Sequence, residues 1–174
     1  MKQNVSSDRE WLKWLTYAAM TLVAYLLQGL TVFPEIFGVT PNFMLIIPLC
    51  IAVFEGPFGG GLAGAVCGTL FDTLHSFSAG LIPLILLALC ALVGLSCQKI
   101  FRKTLASTLV LGTLCVLITK LLEWFFFFYF FTADRSLYSL TAHTLPGWIY
   151  TSVMLAPVYY LTVWLKSKFD KVGE

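Results

Sequence analysis

The sequence predicts an all-α polytopic membrane bundle of six transmembrane helices, and three observations carry that prediction. Of the 174 residues, 59% are apolar and 11% charged, against roughly 25% charged in an ordinary soluble domain. A soluble fold of this size has too little interior to hide so much apolar side chain. The apolar residues also fall in runs suited to a hydrocarbon core about 30 Å thick, which takes roughly 20 helical residues, or fewer where a helix is enclosed by others. Finally, the basic residues collect at the ends of those runs. No Ser/Gly/Pro-rich or charged linker divides the chain, so residues 1–174 read as a single integral membrane domain.

Each element follows from the same ruler. The first helix, about 11–32, holds no charge after Lys13 and starts between Trp11 and Trp14, rings that favour the membrane interface. Its apolar run is about 20 residues and lacks a small-x-small cleavage site, so it reads as a retained helix rather than a signal peptide. Pro34, Glu35 and Gly38 break it, and Pro41 with Asn42 opens the second run, 43–54. Glu55, Gly56 and Pro57 make a turn before the third run, 58–71, because proline disfavours helix at the residue before it. Both runs are short, and one tilted helix with a re-entrant loop is the alternative to a hairpin. After a small-polar connection the fourth run covers 80–97. A basic turn at Gln98–Lys103 leads to the fifth, 104–131, long enough to tilt. The polar segment Thr132–Thr144 precedes the sixth, 145–165.

Charge gives the orientation independently. With six crossings, the N-terminal Lys2, Arg9 and Lys13, the turn residues Lys99, Arg102 and Lys103, and the C-terminal Lys166, Lys168 and Lys171 share one side, while Arg135 lies opposite. Basic residues accumulate in cytoplasmic loops, so both termini are expected in the cytoplasm. The formal charge of +2 sets topology and is too small for a nucleic-acid surface. Cys50, Cys67, Cys90, Cys97 and Cys115 sit in or beside apolar runs without the close pairing of a zinc site and read as packing residues.

Two constellations stand out. Gly56, Gly60, Gly64 and Gly68 recur every four residues and Asp72 continues the series. Such spacing drifts slowly along one helix face and lets a second backbone approach closely, either within this chain, the favoured reading, or in a separate protein. Asp72 is either an interfacial stop signal or the organiser of the loop holding Thr73, His75, Ser76 and Ser78; His75 has no partner set for a metal. Lys120 and Glu123, at i and i+3 in the fifth run, share a face and can neutralise each other. Ionisable groups in a membrane often serve function, and the plainer reading is an ion pair near the outer interface. The aromatic block from Trp124 to Phe131 reads as lipid or helix contact. No P-loop, Gly-x-Ser-x-Gly, His-Glu-x-x-His or Cys-x-x-Cys motif is present, so no enzyme is expected.

The stretch Thr40-Pro41-Asn42-Phe43-Met44-Leu45-Ile46-Ile47, then Phe54-Glu55-Gly56-Pro57, then the glycine series ending in Asp72, with Gly80 opening the next helix, resembles the rod shape-determining protein MreD family. The likeness covers Pro41 to Lys103. Asn42 stands where that family commonly has Asp, and Glu55 where a basic residue is common. The resemblance implies a non-enzymatic subunit of the bacterial cell-elongation machinery in the plasma membrane, without a cofactor. Its implied partner is MreC and, through it, MreB and the peptidoglycan synthases. It also implies a fold similar to the substrate-binding subunits of energy-coupling-factor vitamin transporters, the alternative function. Those subunits commonly carry an Ala-x-x-x-Ala pair in the first helix, a spacing that Ala18, Ala19 and Ala24 do not have.

Overall fold

The computed structural model describes residues 2–30, 39–74, 80–99, 104–131 and 144–171. Among these residues five helices follow in order: α1 (Lys2–Gly29), α2 (Phe43–Leu74), α3 (Leu81–Lys99), α4 (Leu105–Phe131) and α5 (Leu145–Lys171). Four of them, α2 to α5, are long and apolar enough to cross a membrane. Among the described residues the regular elements are all helical, and the chain is suited to multi-pass membrane residence. The expected loop at Thr132–Thr144 and the residues His75, Ser76, Ser78, Arg102 and Lys103 lie outside the described residues, apart from Thr144 itself.

α1 is the least apolar of the five because its first turns, Lys2–Lys13, are a polar flank, and its apolar part also carries a polar face. Tyr17, Thr21, Tyr25 and Gln28 recur every three or four residues and therefore share one face. That face turns inward: Tyr17 and Thr21 are buried, while Leu12, Leu15, Leu22, Val23 and Leu26 are exposed. The helix starts at Lys2 and stops at Gly29, not at 11 and 32. Hydropathy marks the membrane-suited part of a helix, whereas backbone hydrogen bonding continues into the polar flank. The same applies to α5, which runs to Lys171 rather than 165 because Lys is a good helix former in water. α3 spans 81–99 rather than 80–97, since Gly80 has a positive φ of 87° and lies outside the helix.

α2 is the organising element. A straight helix of its 32 residues would be about 48 Å long. Gly56 interrupts it with φ 86° and ψ −169°, a region open essentially to glycine alone. Ala52 and Gly60, roughly 12 Å apart in a continuous helix, approach so closely that a Cβ at Gly60 would collide with the Ala52 side chain. The arms 43–55 and 57–74 therefore fold back on each other. The break occupies one residue instead of the three expected between 54 and 58. Pro57 can begin the second arm directly, because a first-turn residue needs no amide hydrogen.

The first arm is the centre of the core. Every residue from Phe43 to Val53 is buried, in core clusters shared with α1, the second arm, α3, α4 and α5. The reversal brings one set of ends together: Trp14 lies against Gly59, Gln98 against Gly56, and the Lys166 ammonium stands 5.3 Å from the Phe54 ring. Lys13, Lys99, Lys166 and Lys168 thus gather at this basic end of the bundle. Gly29, Leu74, Asn42 and Thr151 mark the far end.

The bundle is apolar on the outside and carries hydroxyls within. Leu84, Leu92, Val110, Leu114, Ile149 and Val153 are exposed, whereas Thr21, Thr108, Thr119, Thr151 and Thr162 are buried. Thr21, Thr108, Thr119 and Thr162 donate to the carbonyl four residues back at 2.8–3.0 Å. Internal satisfaction of this kind is what a hydrocarbon environment requires of polar groups.

Candidate functional site

The glycine series lies along the seam between the second arm of α2 and α3, which run antiparallel. A Cβ at Gly68 would stand 2.5 Å from the Pro83 Cα, one at Gly64 2.6 Å from the Leu86 carbonyl oxygen, and one at Gly60 3.2 Å from the Cys90 carbonyl oxygen. At the turn, a Cβ on Gly94 would meet the Gly56 carbonyl carbon at 2.5 Å. Each step of four residues along the second arm is matched by about four steps back along α3. The two backbones meet where side chains would hold them apart, so this stripe is occupied by α3 of the same chain. Asp72 extends the seam: its Oδ2 accepts a hydrogen bond of 2.9 Å from the Gly80 amide, closing the connection between the two helices.

The first arm is held at both ends by side chains from α1 and α5. A helix start leaves four amide hydrogens without intrahelical acceptors, and here that start is enclosed by protein. The Met44 amide donates to Gln28 Oε1 at 3.4 Å, and the Asn42 amide donates to Thr151 Oγ1 at 3.3 Å. Gln28 Nε2 in turn donates to Asn42 Oδ1 at 3.3 Å. Gln28 thus uses both ends of one amide group to cap the arm and hold its capping residue. At the basic end the Tyr17 hydroxyl donates to Glu55 Oε1 at 3.0 Å. Asn42 and Glu55 both take part in these clasps.

Lys120 and Glu123 form an ion pair on α4, Nζ to Oε2 2.7 Å, with side chains 20% and 25% exposed. Glu123 Oε1 is buried and has no hydrogen-bond partner among the described residues. The pair lies on a different element from Asp72 and the glycine seam. Trp148 Nε1 of α5 donates to the Thr113 carbonyl of α4 at 3.0 Å, tying those helices together.

Sequence reasoning singled out the glycine series, Asp72 and the ion pair, and it missed the clasps. The signal for them was the polar stripe on α1, whose Tyr17 and Gln28 reach opposite ends of the first arm. It also missed a lateral groove of about 350 Å³ between α1 and α5, floored by the first arm. Comparison of the chain with known proteins finds no matching family, no matching curated protein and no matching solved structure.

Proposed function

We propose that this chain is a non-enzymatic membrane scaffold subunit of the bacterial cell-elongation machinery, of the MreD type. It binds MreC and through it supports MreB and the peptidoglycan synthases. The observation that carries this reading is the coincidence of motif and architecture. The residues whose order resembles that family, from Pro41 through Gly56 and the glycine series to Asp72 and Gly80, are the ones on which the hairpin and its seam with α3 are built. A close-packed central arm suits a protein that works through its helix faces.

In this reading the chain crosses the bacterial plasma membrane six times, through α1, the two arms of α2, α3, α4 and α5. The first arm, about 20 Å long, is shorter than the hydrocarbon core, and its enclosure by protein makes that length sufficient. The basic end faces the cytoplasm with both termini, as the accumulation of lysine and arginine there favours. A reporter fused after Glu174 is expected to give a cytoplasmic signal. Affinity capture from the native host is expected to retain MreC, depletion is expected to round rod-shaped cells, and Asp72→Ala is expected to weaken retention of MreC. Capture without MreC, together with one tightly bound vitamin per chain by mass spectrometry, would replace the scaffold with a transporter subunit.

A further inference from the structure

The groove between α1 and α5 has a chemical pattern that the scaffold reading does not use. Its walls are Thr16, Met20 and Val23 of α1 and Leu161 and Leu165 of α5, with Ile47 of the first arm on its floor. Both walls continue, on the same helix face, to a lysine at the basic end. Lys13 lies three residues before Thr16 and seven before Met20, and Lys168 lies three after Leu165 and seven after Leu161. The Lys168 ammonium is held 4.4 Å from the Trp164 ring, an interfacial aromatic. Each wall of the apolar channel along the bundle's flank therefore runs on, in helix register, to a lysine.

Its length and end charges fit a lipid of one leaflet. From Lys13 to Leu27, at the other end of the groove, is fourteen residues, about 21 Å. That is half of the roughly 40–45 Å thickness of a bilayer with its headgroups, the depth of one leaflet. The volume of about 350 Å³ is at the small end of ligand pockets, about 300–1,000 Å³. We propose that the groove is a binding site for an anionic glycerophospholipid, with an acyl chain lying between α1 and α5 and the phosphate bound by Lys13 and Lys168.

The test is native mass spectrometry of the full chain in mild detergent, titrated with phosphatidylglycerol and with phosphatidylcholine of identical acyl chains. A lysine near an anionic lipid surface is worth about fivefold in binding, so the two together are expected to give on the order of thirtyfold preference for phosphatidylglycerol. The double variant K13Q/K168Q is expected to bring that ratio near one. Ala19→Trp, at an exposed position in the groove wall, is expected to reduce retention of both lipids tenfold or more. Leu161→Trp fills the opposite wall and serves where the first variant does not fold. Equal retention of the two lipids by the wild type, or an unchanged preference in K13Q/K168Q, would overturn the site. So would a photo-crosslinker at position 19 that captures a partner's transmembrane helix in cells instead of lipid.

Discussion

Alanine substitution at two neighbouring glycines tests the α2–α3 seam directly. At Gly64 the new Cβ would stand 2.6 Å from the Leu86 carbonyl oxygen, 2.9 Å from its carbon and 3.1 Å from the Cys90 sulfur. Ordinary contact begins near 3.4 Å, so α3 must retreat by about 0.8 Å along a seam built of backbone. Overpacking of this kind costs about 1–3 kcal/mol, against a gain of roughly 0.8–1 kcal/mol from the better helix propensity of alanine. The net expectation for Gly64→Ala is a loss of about 1 kcal/mol. At Gly61 the nearest atoms would be the Ala91 Cβ at 3.6 Å and the Leu87 carbonyl oxygen at 3.7 Å. No repacking is needed there, and Gly61→Ala keeps the propensity gain. The two variants are expected to differ by about 2 kcal/mol, roughly 4–8 °C in Tm for a chain of this length. Thermal unfolding in mild detergent measures the difference. A Gly64→Ala protein that melts at or above Gly61→Ala would refute the seam as described.

Gln28→Leu is expected to destabilise the fold by about 1–3 kcal/mol, because it removes the acceptor for the Met44 amide and the donor to Asn42; chemical denaturation read against Leu22→Ala, on the exposed face of α1, measures it. Lys120→Ala is expected to cost more than the double change Lys120→Ala/Glu123→Ala, since the single change strands a partly buried carboxylate. A coupling of about 0.5–3 kcal/mol in a double-mutant cycle is the expected result, and strictly additive losses would show the pair to be idle.

What was legible in the sequence was whatever repeats locally. The four-residue spacing from Gly56 to Asp72 defines a smooth helix face whatever it touches, and Pro57 after a glycine defines a break. That α3 supplies the opposing backbone was not legible, because its side of the contact is made by carbonyls and the Cα of Pro83, groups that any sequence provides. The Lys120–Glu123 pair could be read because both residues lie on one helix. The clasp at the start of the first arm could not, since Asn42 and Thr151 are 109 positions apart. Helix ends at Lys2 and Lys171 escaped a ruler that measures hydrocarbon thickness.

The burial of Phe43 to Val53 has a consequence for biogenesis. Insertion into a membrane proceeds segment by segment, yet in the finished bundle this stretch is enclosed by protein except along the α1–α5 groove, where Phe43 and Ile47 lie on the floor. One wall of its enclosure, and the hydroxyl that accepts its Asn42 amide, come from α5, which emerges from the ribosome only after α3 and α4. Until then Gln28 of α1 can already cap the arm, whereas the Asn42 amide must wait for its Thr151 acceptor. Completion of the core thus follows insertion of the earlier helices, and α5 acts as the closing piece of an otherwise open fold.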